Sequence, residues 1–540
     1  MSSTFGSFGV ARLGIYAAQK GLDVTGNNIT NINTPGYTRQ RLDQVSLISS
    51  VSDKYFNQNM TRVGQGVLTT GVSQLRDPGL DLIYREAQAD LGASGGKLEG
   101  LGSLASILDE VGKGDGEQDD GVILSQLNDL RDLISKAVTN GIQGYDSLIR
   151  ESASALCTYL NSTAKKLENL QGTYETYLDQ DIQKVNDILK NIQDLNTSIR
   201  DADIRGDDAL ELRDSRNMLL DELSQYMDID VKYTMEDLGA GFMVEKLTVT
   251  LGTGKQNTLI DGEYAAKIGR LPKNDNYNIQ LYALRDADGK KKNDKDTDPV
   301  KLGDNDLYGS LQSRREILTE SGEYTTQETV DRVDKNAAVK RGIPYYRHAL
   351  DSLARELAAE MNTLNNVKDA AIPGEGNLFS IGSDTNDTTD ANGGITAANI
   401  SVSKGWREGS ISMIPSRDPG ASSGDTSNLA AFLSLFEKTV EFNPNDLVTG
   451  AVGKDSPYKG TFEDMLLHIQ STLAEDQMST SSVYNNYAIT ANEIYTDRDS
   501  LSGVDLNDEA TNLMVYQKAY TAACRLMTTL DEALDSLLAM

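Results

Sequence analysis

The stretch FGVARLGIYAAQKGLDVTGNNITNINTPGY, from Phe8 to Tyr37, decides how the rest of the chain must be arranged. Apolar residues recur in it at every seventh position, namely Phe8, Ile15, Leu22 and Ile29. The positions three residues later are Ala11, Ala18, Thr25 and Ile32. A heptad of this kind predicts a helix that presents one seam to a second helix.

A matching seam is present at the other end of the chain. Its heptad positions are Leu506, Leu513, Tyr520, Met527 and Leu534, and the positions three later are Tyr516, Ala523, Leu530 and Leu537. Glu509 is the seam position that breaks the pattern. Because one seam carries small residues where the other carries Tyr and Met, the two fit together large against small. We predict a terminal coiled coil; the alternative is two independent amphipathic helices on separate domains.

Closing this seam within one chain is opposed by entropy, because its halves are separated by almost the whole sequence. Apolar burial along about four heptads offsets only part of the free energy needed to order both segments. We therefore expect the terminal helices to be largely unfolded in a free subunit and to order when neighbouring subunits cover them.

Between the ends, periodicity predicts helices interrupted by β-rich segments. Helical spacing runs from Gly79 to Asp228, with a phase shift after Tyr177 and a turn at 205–208. Strands are predicted at 231–233, 242–251, 279–284, 395–403 and 409–414, and further helices at 307–318, 345–364, 429–436 and 462–499.

The predicted fold is therefore multidomain and mainly α, with inserted β-rich domains. We divide it into a terminal α-helical coiled-coil domain, a helical-bundle stalk domain and an outer β-containing domain. The predicted bounds are 1–50 with 500–540 for the coiled coil, 51–230 with 307–365 and 455–499 for the stalk, and 231–306 with 366–454 for the outer segments.

Composition excludes several classes of function. The 540 residues exceed what one core usually supports, and 81 acidic against 51 basic residues give a formal net charge of −30. This charge repels phosphate backbones and anionic lipid head groups, so no nucleic-acid partner is expected. No apolar run approaches the ~18 residues of a membrane span, and the N-terminus lacks a charged leader with an apolar core. Neither membrane insertion nor a standard secretory signal is expected.

Metal and disulfide chemistry have few residues to use. Cys157 and Cys524 both lie in apolar, helix-like stretches, where a free thiol usually behaves as a small buried hydrophobe. The two histidines, His348 and His468, are far from each other and from both cysteines in sequence. We predict no metal site, no cofactor and no catalytic residue.

A different class of function, a hydrolase in the inserted domain, has one formal motif. Gly420 to Gly424 fits the pattern G-x-S-x-G, which requires a Ser on a tight turn followed by Asp and His. Only His468 lies downstream, and the motif follows the loop composition of 416–419. A simple turn is favoured, and loss of a hydrolytic activity on Ser422→Ala would revive the hydrolase.

The spacing of Asp294, Asp296 and Asp298 is similar to that of the first ligands in a calcium-binding loop. However, Pro299 stands where the loop needs Gly, and Asn305 where it needs a bidentate Glu. A solvated charged loop is the favoured interpretation.

The block Asn33-Thr34-Pro35-Gly36-Tyr37 resembles the N-terminal signature of the flagellar rod, hook and hook-associated proteins. Pro35 biases Thr34 away from helix and Gly36 permits a sharp turn, so the first helix must stop here. The last segment, 502–540, resembles the C-terminal signature of the same family.

Internal stretches resemble the hook-associated members more than rod or hook proteins. They are LRDSRNMLLDELS at 212–224, AANISVS at 397–403 and GDTSN at 424–428. The loop 285–299 has no counterpart in the family that we can place.

The resemblance implies a structural protein of the bacterial flagellum and no enzyme. It implies a helical tier at the junction of hook and filament, assembled through the paired terminal helices and exported without a cleaved signal peptide. The implied partners are further copies of the chain, the hook protein, a second junction hook-associated protein, and a cytoplasmic export chaperone on the C-terminal helix. The alternative within the family is a hook or distal rod protein, in which helices like 212–224 are not expected.

Overall fold

A computed structural model describes residues 4–47, 64–109, 121–239, 243–252, 257–273, 276–295, 298–303, 306–332, 334–367, 372–390, 393–422 and 424–539. Helices dominate these ranges, with small antiparallel sheets between them. The helices are α1 (Thr4–Thr30), α2 (Pro78–Leu108), α3 (Val122–Asn140), α4 (Asp146–Arg205), α5 (Leu210–Tyr226), α6 (Gly309–Thr319), α7 (Gln327–Arg332), α8 (Ile343–Asn365), α9 (Lys404–Glu408), α10 (Ser427–Leu435), α11 (Phe462–Ser502) and α12 (Leu506–Leu538).

The strands form sheets of two to four members, all antiparallel. They are β1 (Gln40–Ser46), β2 (Val67–Gln74), β3 (Ile229–Asp237), β4 (Met243–Leu251), β5 (Thr258–Asp261), β6 (Tyr264–Ala265), β7 (Ile268–Arg270), β8 (Ile279–Leu281), β9 (Val300–Lys301), β10 (Phe379–Ile381), β11 (Thr389–Asp390), β12 (Gly393–Gly394), β13 (Ile400–Val402), β14 (Val440–Phe442) and β15 (Tyr458–Gly460). The orders are β3-β4-β5-β6, β7-β8-β9, and the pairs β1-β2, β10-β13, β11-β12 and β14-β15. The mainly α class with inserted β-rich regions is confirmed.

The two ends of the chain meet, as the heptads predict. Helix α1 packs along α12, and the β1-β2 hairpin packs against α1. Asp505 caps α12 by accepting hydrogen bonds from the backbone N–H groups of Asn507 and Asp508. We call α1, β1, β2 and α12 the terminal unit.

Helix α4 carries the predicted phase shift. Its buried positions include Leu160, Leu167 and Tyr174, which are seven residues apart, and then Leu178, Val185, Ile192 and Ile199, which are again seven apart, so the heptad phase shifts by four residues between Tyr174 and Leu178. This is a stutter, which changes the winding of a helix without ending it. The helix ends at Gly206, whose φ of 78° is the left-handed conformation of a helix C-cap, so the predicted turn is also confirmed.

Helix α2 lies close to α5, α6 and α11 because glycines face them. A Cβ on Gly100 would lie 2.6 Å from the Ile317 side chain of α6, and one on Gly92 would clash with the carbonyl oxygen of Gln225 at the end of α5. A side chain at either position would force the neighbouring atoms to move, since real Cβ atoms do not approach other atoms so closely.

One predicted strand is wrong. Residues 409–414 form no strand, because their backbone N–H groups donate to scattered acceptors and not to a neighbouring strand: Ile411 donates to the Gly405 carbonyl oxygen and Ser412 to that of Gly374. Asp146 accepts from Met413 at 2.9 Å, and Asn365 accepts from Ile414 at 2.9 Å. Just before them, Gly409 ends the short helix α9 with φ of 80°.

The domain bounds remain a prediction. Helix α11 continues through the expected boundary at 499 and ends at Ser502. Strand β2 lies within the range assigned to the stalk, although it pairs with β1 of the terminal unit. None of the helices in the described ranges combines the length and apolarity that a membrane span requires.

Candidate assembly interface

The turn that follows α1 is formed by Asn33, Thr34, Pro35, Gly36 and Tyr37. Gly36 has φ of 76°, a conformation that favours glycine, and the Tyr37 N–H donates to the carbonyl oxygen of Thr34 at 3.2 Å. The first four residues of the turn are exposed and Tyr37 is half-buried. The helix stops at Thr30 and the chain reverses, as predicted.

Polar side chains close the turn onto α1. The Tyr37 hydroxyl donates to Asn28 Oδ1 at 2.8 Å, and Asn28 Nδ2 donates to the carbonyl oxygen of Gln40 at 2.9 Å. Asn28 is only 1% exposed, so these bonds satisfy an amide that would otherwise be costly to bury. Burial raises the pKa of Tyr37, and nearby carboxylates, Glu211 and Asp214 among them, raise it further.

The turn rests on α5, the helix that carries the internal family motif. Thr38 donates from its backbone N–H and its hydroxyl to the two oxygens of Asp214, at 3.0 and 2.6 Å. A Cβ on Gly36 would lie 3.3 Å from Met218 Sδ. Two motifs separated by nearly two hundred residues in sequence therefore form one contact.

The α1–α12 seam is antiparallel and keeps a heptad step. A Cβ on Gly14 would lie 3.6 Å from Ala523 Cβ, and one on Gly21 would lie 2.5 Å from the ring of Tyr516. Seven residues forward in α1 thus correspond to seven residues back in α12. The large-against-small packing is found, but the closest small residues are glycines one position before the predicted Ile15 and Leu22.

Most of the predicted seam residues lie along this contact. The half-buried ones are Phe8, Ile15, Leu22, Ile29, Leu513, Tyr516, Met527, Leu530 and Leu534. Four others are exposed within the chain, namely Ile32, Leu506, Tyr520 and Leu537. Ile32 lies beyond the end of α1, and among the described elements α1 alone has an extensive contact with α12, of which it covers one side. Their role in assembly remains a prediction.

Glu509, the residue that breaks the heptad, has a polar partner. Its carboxylate is 2% exposed and accepts from Arg39 Nε at 2.7 Å, while Asp508 lies 3.7 Å from the same guanidinium. Arg39 follows the turn directly, and its backbone N–H donates to the Ser502 carbonyl oxygen at 2.8 Å. Sequence reasoning missed Arg39, although an acidic residue in an apolar seam indicates a basic partner.

Both terminal helices are formed and paired within this single chain, which differs from the disorder expected for a free subunit. The physical reason is that the pairing does not depend on the apolar seam alone. The Arg39–Glu509 ion pair and the hydrogen bond from the Arg39 N–H to the Ser502 carbonyl oxygen add polar contacts between the two ends that the heptad count does not include.

A network of charged residues connects the terminal unit to the helices between residues 78 and 502, which we call the helical body. Arg76 and Arg498 contact Asp81, Arg498 and Arg85 contact Asp221, and Arg76 lies 3.8 Å from Asp214. Sequence reasoning treated 212–224 only as a family-like stretch and did not identify these charged residues as partners. The available signal was Asp214 and Asp221, seven residues apart and so on one face of the helix.

The motifs set aside in the sequence behave as structural elements. Ser422 is exposed in a turn where the Asp425 N–H donates to the Ser422 carbonyl oxygen, while His468 stacks on Tyr458 with ring centroids 4.2 Å apart. Asp298 accepts from the Ala283 N–H and contacts Arg285 and Lys291, which lowers its pKa. Ser423, Asp296 and Asn305 lie outside the described residues.

Two further groups bear on reactivity. Cys157 is buried and burial raises the pKa of its thiol to about 12, whereas Cys524 is half-buried, contrary to the expectation for that residue. Among the described residues, Glu316, Glu320 and Asp334 form a carboxylate cluster that the sequence did not predict. Lys340 Nζ lies 2.6 Å from Glu316 and 2.7 Å from Asp334, so a lysine ammonium already compensates part of the negative charge of the cluster.

Comparison with known proteins gives three family matches and full-length relatives. Residues 118–369 match the family described as flagellar hook-associated protein FlgK helical domain, 499–540 match flagellar basal body rod FlgEFG protein C-terminal, and 10–38 match flagella basal body rod protein. Flagellar hook-associated protein 1 of Bacillus subtilis is 26% identical, with 100% of this chain and 98% of the relative covered. The protein of that name from Salmonella typhimurium is 21% identical, with 98% of each covered.

A solved structure, the flagellar hook junction protein FlgK from Burkholderia pseudomallei, is 15% identical to this chain. It has a TM-score of 0.38 and covers 55% of this chain and 47% of its own.

Proposed function

We propose that this chain, which is similar to flagellar hook-associated protein 1 of Bacillus subtilis over its whole length, polymerises through its paired terminal helices into the junction between hook and filament. The role is structural rather than enzymatic. The observation that carries the proposal is an apolar face on α12 that remains uncovered after α1 has packed. Met514 is 52% exposed, Val515 56%, Leu526 46% and Leu537 64%.

A face of this kind suits contact with another subunit. Exposed contiguous apolar surface marks interaction sites in soluble proteins. We propose that the contact between copies is heterologous, as a helical polymer requires: one patch binds a different patch on the next subunit, and the contact propagates as a helix. The exposed seam residues Tyr520 and Leu537 belong to the proposed interface between copies.

The finer partners follow from the family. We propose that further copies of the chain form the tier, that the hook protein lies on one side, and that a second junction hook-associated protein lies on the other. Before export, the amphipathic helix α12 is the proposed binding site for a cytoplasmic chaperone. Export without a cleaved signal peptide belongs to the same proposal.

The test uses a strain that lacks this gene, complemented with variants. Leu513→Asp and Leu530→Asp put a charge into the half-buried seam, and we expect intact hooks, no filaments and flagellin shed into the medium. Thr521→Asp, at an exposed position of the same helix, is the matched control and should restore filaments. Normal filaments in both seam variants would contradict the proposal.

The deletion strain also tests the alternative of a hook or distal rod protein. Loss of the hooks themselves in the uncomplemented strain would favour that alternative over the junction role. The family match over 118–369, which includes the α5 motif, favours the junction role.

A further inference from the structure

The terminal unit is joined to the rest of the chain by two covalent crossings. One runs from β2, which ends at Gln74, to α2, which begins at Pro78; the other runs from α11, which ends at Ser502, to α12, which begins at Leu506. The orientation of the unit on the helical body depends on the contacts near these two crossings, together with the contacts of Thr38 and Gln40 with α5.

Each crossing carries or adjoins an arginine, and both arginines contact the same carboxylate. Arg76 Nε lies 2.5 Å from Asp81 Oδ2, and Arg498 Nη1 lies 3.5 Å from Asp81 Oδ1. Asp81 is 5% exposed and stands in the first turn of α2, where the helix dipole also favours a negative charge.

Two aspartates of α5 complete the arrangement. Asp221 lies 2.6 Å from Arg498 and 2.9 Å from Arg85, and Asp214 binds Thr38 just after the motif turn. Three arginines therefore face three aspartates, so the charges balance. The Arg498 guanidinium also lies 3.9 Å from the Tyr84 ring centroid, a position suited to a cation–π contact.

Burial makes this set sensitive to the loss of one member. When a largely buried ion pair loses one partner, the other is left as an uncompensated charge, which is more costly than the pair itself. Asp81 is the member whose loss affects both crossings at once, because no other described carboxylate contacts both Arg76 and Arg498 in an ion pair.

We propose that Asp81, Arg76 and Arg498 form an ionic clamp that fixes the orientation of the terminal unit on the helical body. The clamp is a property of a single chain and goes beyond the proposed function. Loss of the clamp increases local opening of the segments around the two crossings, while the α1–α12 seam and the core of the helical body stay folded.

The test compares amide hydrogen exchange in the purified full-length chain and in Asp81→Asn, which keeps the shape of the side chain and removes its charge. We expect exchange to rise by about tenfold or more in segments 74–85, 214–222 and 495–506, with little change in the middle of α1, α4 and α12. Glu441→Gln, which removes a carboxylate from the exposed pair with Lys459, is the matched control and should change nothing in these segments.

Two further variants keep the test decisive. Arg498→Gln should reproduce the local increase. In the double variant, Asp81→Asn with Arg498→Gln, the change in the free energy of local opening should be clearly smaller than the sum of the two single changes, because both act through one clamp. Unchanged exchange in segments 74–85, 214–222 and 495–506 would overturn the proposal. An equal rise over the whole helical body in both single variants would overturn it as well.

Discussion

The ring of Tyr516 lies against the backbone of Gly21, so closely that a Cβ added at Gly21 would stand 2.5 Å from two ring carbons. This contact between the two ends of the chain fixes how near α1 and α12 come to each other. Gly26, in the same helix, has open space around the same position.

Gly21→Ala should therefore weaken the terminal pairing. Overpacking of a close contact costs about 1–3 kcal/mol, more than the gain of roughly 1 kcal/mol from replacing a helical glycine. Proteolysis by trypsin at Arg12 and Lys20 measures the effect, and cleavage should be faster than in the unmodified chain. Gly26→Ala, which gains propensity without a clash, should be cleaved no faster; equal cleavage of the two variants would contradict this packing.

Glu509→Leu completes the heptad, yet we expect it to destabilise the terminal unit. The substitution leaves Arg39 without its buried partner, a loss of about 1–3 kcal/mol for a guanidinium that keeps some contact with solvent. Urea unfolding followed by hydrogen exchange of α12 measures it. Arg39→Leu in combination should recover part of the loss, whereas a stabilised single variant would show that apolar burial dominates at this position.

Leu526→Asp separates pairing within the chain from contact between copies. Leu526 is 46% exposed, so the variant should keep the stability and protease resistance of the purified subunit. We nevertheless expect it to fail to restore filaments to the deletion strain, because the charge lies on the proposed face toward the next copy. Restored filaments would remove Leu526 from that interface.

His348 should make the body less stable in acid. Burial lowers its pKa to about 4 from an ordinary value of 6.5, so the unfolded chain binds more protons between these values. The stabilising contribution is complete above pH 6.5 and is lost as the pH falls toward 4. His348→Gln should flatten this part of the profile, measured as the difference in unfolding free energy from the unmodified chain. Comparing the variant with the unmodified chain removes the contribution of other groups that titrate in this range, such as Glu356, whose pKa is raised to about 7 by burial.

Gly92→Ala should destabilise the helical body. Its Cβ would collide with the carbonyl oxygen of Gln225, a backbone atom that cannot move aside as a flexible side chain can. We expect a loss of about 2 kcal/mol or more in thermal or urea unfolding. Gly102→Ala, in the same helix with nothing nearby, is the control and should be neutral or slightly stabilising. Equal midpoints for both variants would contradict the close α2–α5 packing.

The success of the sequence in the helical parts has a local cause. Periodicity is a property of neighbouring residues, so the phase shift in α4, its end at Gly206 and the turn at Gly36 could be read without a fold. The error at 409–414 has the opposite cause, because Asp146 and Asn365, which bind those amides, are distant in sequence.

The amino-acid sequence by itself determined that the chain ends form helices with complementary seams, that α1 stops before Pro35, and that the composition gives no basis for nucleic-acid binding. Only the tertiary structure decided that glycines set the seam distance, that Glu509 pairs with Arg39, and that Asp81 holds two arginines from different crossings. The physical reason is that hydrophobic spacing is a property of neighbouring residues in the sequence. The partner of a buried charge depends instead on which distant residue the folded chain brings close to that charge.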